Sequence, residues 1–225
     1  MVAVEWDQSF RIIFSRYPFI GIYDRIADPA DIDAVIELER LTNDRVRDEA
    51  GDISLVEPAD RISGPGSTSI MAAFTHASVS RFSDGSFGVY YAARVVETAI
   101  AETVFHVERF YRSSSEPSAD VDMRVYVARI NGMFDDLRSV DITDARLDPH
   151  SYATSQTYAR ALRARDESDG IVYASVRDLE RRDCIACFCP RNIRACHSHS
   201  YLTYRWDGLQ QRIIDTFHRE SLAGP

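Results

Sequence analysis

The most constraining feature of the sequence is a glycine turn, an aromatic strand and an amphipathic helix that follow one another directly. Ser83-Asp84-Gly85 has the composition of a turn, and the aromatic, β-branched and small apolar residues from Phe87 to Ala92 are typical of a strand. From Val95 to Tyr111 the apolar residues recur at helical spacing. A strand and a helix in direct succession bury their apolar faces in one core, so the segment predicts a sheet covered by helices.

Further strands and helices are predicted on the C-terminal side of this segment. Met123–Ile130, a second run from Phe134 to Val140, and Cys184–Cys189 have strand composition, whereas Ser151–Arg165 and Leu209–His218 show helical spacing. No internal repeat, low-complexity tract or linker separates them. The chain is therefore predicted to form one α+β domain, and its 225 residues can bury a sizeable core without disulfide bonds.

The charged residues exclude several kinds of chemistry. All 26 basic residues are Arg, which excludes Schiff-base lysines and the lysine of a P-loop. The net charge of -9 disfavours non-specific nucleic-acid binding and suits a basic protein partner. No apolar run approaches the roughly 20 residues of a membrane helix, and Met1 to Asp7 lack the features of a secretory signal. We therefore expect a cytoplasmic protein.

Four cysteines and two histidines fall in one short segment, at Cys184, Cys187, Cys189, Cys196, His197 and His199. The spacing is compatible with a zinc site, because a C-x-x-C pair is followed by further Cys and His residues. The alternative is a buried strand, because small apolar residues continue through Cys184–Cys189 without a turn, and Cys is often buried. We favour the strand and expect no metal, with zinc as the open alternative.

Four short motifs carry residues suited to chemistry. They are the Arg81-Phe82-Ser83-Asp84-Gly85 turn, the strand that contains Tyr91, the helical Thr98-Ala99-Ile100-Ala101-Glu102, and the strand Asp169–Arg177 with Ser175. Taken singly, each of these motifs is also explained by an ordinary structural role. A Glu on an amphipathic helix is usually solvated, a strand Tyr usually packs in a core, and a lone Arg usually forms a surface ion pair. We interpret Arg177 as structural, and His76 and His106 as core or loop residues rather than pocket residues.

In this order and spacing, the four motifs resemble those of RES-domain toxins of bacterial toxin–antitoxin pairs. The resemblance covers residues 59 to 206, and two positions depart from it, with Ser80 in place of a Gly and Ser83 in place of an Asn. The resemblance implies an ADP-ribosyltransferase-like mixed β-sheet core flanked by helices. It also implies that residues 56–225 form the RES domain and that residues 1–55 are an N-terminal elaboration packed on it.

The resemblance implies that the substrate is NAD+, cleaved at the nicotinamide–ribose bond, and that Arg81, Glu102 and Ser175 are the family's name-giving residues. An earlier family Arg, placed on a strand, is best matched by Arg61. Nicotinamide leaves without a general acid, so the barrier lies in forming a ribosyl cation, which a carboxylate such as Glu102 stabilises.

The remaining residues suit the other parts of NAD+. Arg81 and Arg61 would bind the pyrophosphate, because a guanidinium offers a permanently charged donor fork. Tyr91 would stack on nicotinamide, with Tyr90 on the opposite face of the strand. Ser175 would bond a phosphate or ribose oxygen, or hold Glu102.

Three functions are open at this stage. The first is an NAD+-degrading toxin, with water or phosphate as the acceptor of ADP-ribose, and the second is a protein mono-ADP-ribosyltransferase with the same pocket. The third is a non-catalytic interaction module, against which the intact Arg, Tyr, Glu and Ser set argues. The resemblance further implies a cognate Xre-type helix-turn-helix antitoxin as the protein partner.

Overall fold

The computed structural model describes residues 1–15, 21–26, 28–40, 50–165 and 167–219. The α-helices of this part are α1 (Ile32–Arg40), α2 (Ser67–Thr75), α3 (Val96–Ser114) and α4 (Ala153–Ala164). Its strands are β1 (Val2–Phe14), β2 (Val79–Ser80), β3 (Ser83–Asp84), β4 (Tyr90–Ala93), β5 (Ala119–Leu137), β6 (Gly170–Ala174), β7 (Asp183–Cys187), β8 (Ile193–Asp207) and β9 (Arg212–Arg219). No helix among the described residues is long and apolar enough to cross a membrane.

Seven strands form one mixed sheet in the order β1-β4-β7-β6-β5-β8-β9, and β1 also pairs with β5. Strands β5 and β6 run parallel, whereas the other pairings in this sheet are antiparallel. Buried side chains of α1 and α2 join one hydrophobic cluster, and those of α3 and α4 join another. A mixed sheet flanked by helices confirms the predicted α+β class.

Strand β5 is the longest element of the sheet and replaces two shorter predicted strands. It runs without interruption from Ala119 to Leu137, through the Asn131-Gly132 pair that lies between the two predicted strands. Strand β1 pairs with β5 across this pair, with Glu5 opposite Asn131 and Val4 opposite Gly132. Because the neighbouring strand supplies continuous pairing, the Asn-Gly pair remains extended instead of turning. The N-terminal strand β1 is thus part of the sheet itself.

The predicted helix Leu209–His218 is wrong, because this segment forms a turn and then strand β9. The turn is closed by Asp207, whose Oδ1 accepts hydrogen bonds from the backbone N–H groups of Leu209 and Gln210. Strand β9 then pairs antiparallel with β8, from Arg212 opposite Asp207 to Arg219 opposite Tyr201. The β-branched and aromatic residues of this segment suit a strand, and pairing with β8 outweighs the helical spacing.

We predict that Phe134→Ala lowers the free energy of unfolding by about 3–5 kcal/mol, because it empties a fully buried aromatic site. Phe134 has 0% exposure and belongs to the first hydrophobic cluster. The measurement is urea denaturation followed by circular dichroism. Met133→Ala is the matched control, since Met133 is the preceding residue of β5 and is 45% exposed. The control should change stability by less than about 0.5 kcal/mol. Equal losses in both variants would contradict the described burial.

Candidate active site

Three elements bring the motif residues together. Glu102 lies in the second turn of α3, which begins directly after β4, and Ser175 directly follows the last residue of β6. The chain leaves the sheet at Ser175, whose backbone N–H donates a hydrogen bond to the carbonyl of Arg182 over 3.0 Å. Arg81 lies between the short strands β2 and β3. Residues distant in sequence thus meet where the helix that follows β4 passes the end of β6.

Ser175 orients the Glu102 carboxylate. Its hydroxyl donates to Oε1 of Glu102 over 2.6 Å. The Ser175 Oγ also accepts hydrogen bonds from the backbone N–H groups of Arg177 and Asp178, at 3.1 and 3.0 Å. Both lone pairs of the Ser175 hydroxyl are therefore occupied, and its proton is donated to the Glu102 carboxylate. Ser175 is fully buried, so these contacts favour its role in holding Glu102 over a contact with a phosphate or ribose.

Arg177 holds the other oxygen of the same carboxylate. Its guanidinium forms an ion pair with Oε2 of Glu102 and donates through Nη2 to the Tyr152 hydroxyl over 3.2 Å. Its Cζ also lies 4.0 Å from the centre of the Phe105 ring. We interpreted Arg177 as structural from the sequence, whereas the structure places it directly on Glu102. The spacing Ser-x-Arg was the available signal, because residues two apart on an extended segment share a face.

The guanidinium of Arg81 is buried and incompletely bonded. Arg81 is 4% exposed, and its Nη1 donates to the carbonyl of Leu147 over 2.5 Å. Its Nη2 is also buried but has no hydrogen-bond partner among the described residues. A buried N–H without an acceptor costs free energy, and a charged donor costs more than a neutral one. The arrangement therefore suits an anionic ligand whose oxygen would complete the bonding of Arg81.

Tyr91 supports the turn that carries Arg81. Its hydroxyl accepts a hydrogen bond from the backbone N–H of Phe82 and shares another with the Ser80 hydroxyl, both 2.9 Å long. Burial raises the pKa of Tyr91 to about 12, so the phenol keeps its proton. Tyr90 faces the other way, into the first hydrophobic cluster, as predicted from strand alternation. The stacking of Tyr91 on nicotinamide stays a prediction.

The two serines that depart from the family pattern both have defined bonds. Ser80 shares its hydrogen bond with Tyr91, as described above. The Ser83 hydroxyl donates to the carbonyl of Phe87 over 2.6 Å and accepts from the backbone N–H of Gly85 over 3.0 Å. Ser83 therefore closes the turn at the position where the family has Asn.

Arg61 does not contact the Glu102 cluster. It follows a short 3-10 helix, Pro58–Asp60, rather than lying on the strand expected from the family pattern. Its guanidinium pairs with Asp33 at 2.8 Å and donates to the carbonyl of Val56 at 3.0 Å. These partners connect the segment to α1. The predicted role of Arg61 in binding pyrophosphate therefore stays a prediction without a supporting contact.

Two further residues of the site were missed in the sequence. Tyr152 directly precedes α4, and its ring centre lies 5.6 Å from Cζ of Arg81 and 5.8 Å from Cζ of Arg109. Arg109 and Glu102 are seven residues apart on α3, so they share one helix face. That periodicity could have identified Arg109. No local signal identifies Tyr152, because its position depends on how the loop before α4 packs.

His106 lies between Glu102 and Arg109 on this face of α3. The pKa of His106 is lowered to about 4, first by desolvation and then by the neighbouring guanidinium of Arg177, although the residue is exposed to solvent. Arg81 and Arg109 contribute to this lowering, and Glu102 opposes it. His106 thus has charged residues of the Glu102 cluster as its electrostatic neighbours, and its place in a substrate pocket is not tested by these contacts. His76 instead lies against α2, with Nδ1 3.2 Å from the carbonyl of Ala72.

The site is a cluster of contacting side chains. Two clefts of about 460 and 470 Å³ lie elsewhere on the molecule. One is lined by residues around Thr157 and Tyr158, and the other by residues around Arg124 and His197. Neither contains a residue of the Glu102 cluster. Chemistry therefore identifies this site more clearly than concavity does.

The cysteine-rich segment forms a buried strand. Cys184 and Cys187 lie in β7, between β4 and β6, and all four cysteines are free thiols. Burial raises the pKa of Cys189 and of Cys196 to about 11, which keeps both thiols protonated. Among the described residues, no group of three His, Cys, Asp or Glu side chains is placed to hold a metal ion. The buried strand predicted at Cys184–Cys189 is confirmed as β7, which spans Asp183–Cys187.

The sheet brings together Arg81 in its turn, Glu102 on α3 and Ser175 at the end of β6. This is the arrangement that the sequence motifs of RES domains indicated. Residues 58–207 match the family model described as RES domain, and the chain belongs to this family. The match covers two thirds of the chain and confirms the resemblance found in the motifs.

Two individual proteins are also similar to this chain. The uncharacterized protein y4oC of Sinorhizobium fredii is 29% identical over 226 residues, which cover 96% of this chain and 90% of y4oC. Among solved structures, the M. tuberculosis MbcT–MbcA toxin–antitoxin complex contains a similar chain with a TM-score of 0.47 and 9% identity. That similarity covers 93% of this chain and 89% of the other.

We predict that acid destabilises the protein partly through His106. The ordinary pKa of His is 6.5, and the value of about 4 in the folded protein means that the unfolded chain binds a proton first. The free energy of unfolding therefore falls as the pH decreases from about 6.5 to about 4. Urea denaturation at several pH values in this range measures the slope.

His106→Gln should reduce that slope, because Gln does not titrate. His150→Gln is the matched control, since His150 is exposed as His106 is but lies in the loop before α4 and not on α3. An unchanged slope in His106→Gln would contradict the assignment of this pH dependence to His106.

Proposed function

We propose that this protein is an NAD+-consuming toxin of a bacterial toxin–antitoxin system. It would cleave the nicotinamide–ribose bond and deplete NAD+, as a glycohydrolase with water or as a phosphorylase with phosphate as acceptor. The observation that carries the proposal is the Glu102 carboxylate, fixed through both oxygens by Ser175 and Arg177 beside the incompletely bonded Arg81. Membership of the RES domain family supports the same reaction class.

The fixed carboxylate suits the step that limits this reaction. When the bond between nicotinamide and the ribose C1′ breaks, the electron pair leaves with nicotinamide and positive charge develops on the ribose. Glu102 would face that charge and would accept a hydrogen bond from the ribose 2′-hydroxyl. A carboxylate has about four acceptor positions, of which Ser175 and Arg177 occupy two, and the side chain is 14% exposed. Because it is already oriented, little reorganisation is needed as charge develops.

The other site residues have matching roles in this proposal. The unpartnered Nη2 of Arg81 would donate to the pyrophosphate, and Ser175 would act by orienting Glu102. Tyr91 would stack on nicotinamide while its hydroxyl supports the Arg81 turn. Arg61 would contribute only if its ion pair with Asp33 opened.

A protein mono-ADP-ribosyltransferase is the second candidate function, since the same residues can activate NAD+ for transfer to a protein. The exposed half of α3 beside the site is where a protein acceptor would approach. A non-catalytic interaction module is the third. The converging contacts of Ser175 and Arg177 on the Glu102 carboxylate argue against it, because they orient a charged group beside a second, buried guanidinium, that of Arg81.

We further propose that a cognate Xre-type helix-turn-helix antitoxin binds this protein. Family membership and the net charge of -9, which suits a basic partner, support this. In the same proposal residues 56–225 form the catalytic RES domain, residues 1–55 are its N-terminal elaboration, and the protein acts in the cytoplasm. No metal is required, because the carboxylate and the guanidinium groups supply the charges that the reaction needs.

Glu102→Gln should lower the rate of nicotinamide release from NAD+ at least about 100-fold and abolish growth inhibition, because it removes the charge that faces the ribosyl cation. The measurement uses NAD+ labelled in both its nicotinamide and its adenosine part, incubated with and without host lysate. Chromatography and gels follow nicotinamide, free ADP-ribose and labelled protein. Glu97→Gln is the matched control, since Glu97 is also on α3 and its side chain is 63% exposed.

The three functions give different outcomes in this assay. Nicotinamide and ADP-ribose without labelled protein support degradation, and a shift of the product to ADP-ribose 1″-phosphate in phosphate buffer identifies the phosphorylase. A labelled protein band supports transfer. No nicotinamide release from the wild-type protein under any condition refutes both enzymatic functions. A fully active Glu102→Gln variant would show that the catalytic carboxylate lies elsewhere.

A further inference from the structure

Three guanidinium groups converge on the side chain of Tyr152. Cζ of Arg81 and Cζ of Arg109 lie 5.6 and 5.8 Å from its ring centre, and Nη2 of Arg177 donates to its hydroxyl over 3.2 Å. Each group comes from a different part of the chain, namely the turn after β2, helix α3 and the segment after β6. Tyr152 thus separates like charges that would repel one another at closer range, and its ring face attracts cations.

Positive charge exceeds negative charge at this place. Glu102 is the one carboxylate among the described residues that forms an ion pair with any of the three guanidinium groups, and it pairs only with Arg177. Arg81 and Arg109 form no ion pair among the described residues, although the charge of Arg81 helps to lower the pKa of the nearby Asp148 carboxyl, and both guanidinium groups contribute to the lowered pKa of His106. A group of this kind favours an anion with more than one negative charge.

Glu102 and Arg109 follow one another along the axis of α3. Arg109 follows Glu102 by seven residues, which places its Cα roughly 10 Å further along the helix. Side chains on a helix lean toward its N-terminus, so the Arg109 guanidinium reaches back toward Glu102. In a dinucleotide one methylene joins the reacting ribose to the first phosphate, and the second phosphate lies further on. A ribose at Glu102 would therefore direct its diphosphate along α3 toward Arg109.

We propose that Arg109 and Tyr152, together with Arg81, form a subsite for the diphosphate of a dinucleotide. Arg81 binds the phosphate nearer the reacting ribose, Arg109 binds the farther one, and the Tyr152 ring holds the two guanidinium groups apart at the spacing of the diphosphate. The inference rests on the proposed function and deepens it, because it makes Arg109 a residue that selects dinucleotides over nicotinamide mononucleotide.

The test measures binding of ADP-ribose, which has the diphosphate but no bond to cleave, by isothermal titration calorimetry. Arg109→Gln should weaken binding at least about tenfold, the loss expected for one charge-assisted hydrogen bond. Arg109→Lys should recover part of the loss because it restores the charge. Arg112→Gln is the matched control, since Arg112 is on the same helix and pairs with Glu108 away from the cluster, and it should bind as the wild type does.

Tyr152 and turnover provide independent readouts. Tyr152→Phe keeps the ring and should bind ADP-ribose within about twofold of wild type, whereas Tyr152→Leu should weaken it at least about threefold. In NAD+ turnover, Arg109→Gln should raise KM and leave kcat unchanged, because the diphosphate contact is the same before and during bond cleavage.

The outcomes separate the subsite from the proposed function. Arg109→Gln binding as tightly as wild type, or losing no more than Arg112→Gln, would overturn the subsite while leaving the NAD+ reaction intact. Wild-type protein that binds neither ADP-ribose nor NAD+ would overturn both.

Discussion

The hydrogen bond from Ser175 to Glu102 is the contact on which the site depends. It joins helix α3 to the end of β6, through two residues that lie 73 positions apart in the chain. The Ser175 hydroxyl can donate only in this direction because two backbone N–H groups occupy its lone pairs. The carboxylate that these contacts orient also pairs with Arg177, and Arg177 donates to the Tyr152 hydroxyl. The Ser175 hydrogen bond is therefore the first of a connected series of contacts through the cluster.

The arginines of the cluster have two different roles, because Arg177 orients Glu102, whereas Arg81 and Arg109 are proposed to bind the ligand. Arg177 binds Glu102 and Tyr152 and packs on the Phe105 ring, whereas Arg81 keeps a buried Nη2 without an acceptor among the described residues and Arg109 is exposed. The lack of lysine in the whole chain makes this division stable toward pH, because a guanidinium keeps its charge across the physiological range. Tyr91 contributes from the opposite side, where its hydroxyl holds the turn on which Arg81 sits.

Much of the fold could be predicted from the sequence, because the signals were local. The strand at Tyr91, helix α3 and the buried strand at Cys184 follow from periodicity and composition within short windows. The segment after Asp207 could not be assigned in this way, since its apolar residues fit a helical face as well as a strand. This segment forms strand β9 because it pairs with the edge of β8, and the position of that edge depends on tertiary structure. Strand β5 likewise depends on β1, which supplies pairing across an Asn-Gly pair that favours a turn in isolation.

The site shows the same limit. Order and spacing of the motifs indicated Arg81, Glu102 and Ser175, and the structure joins Glu102 directly to Ser175. The partners that complete the cluster, Tyr152 and Arg109, enter through packing of α4 and through helix geometry that no motif marks. Arg61 was chosen by its distance along the sequence alone, and its contacts lead to α1 instead.

The order of the strands along the chain has a consequence for synthesis on the ribosome. Strand β1 is made first but pairs with β5, and Glu102 is made long before Ser175. The sheet that positions Ser175 requires β7, so a nascent chain has an unassembled site until residues beyond Cys187 have left the ribosome. Pairings between distant segments also form slowly. Under the proposed function, the cell would therefore have an interval after translation begins in which the NAD+-consuming activity does not yet exist and an antitoxin can already be present.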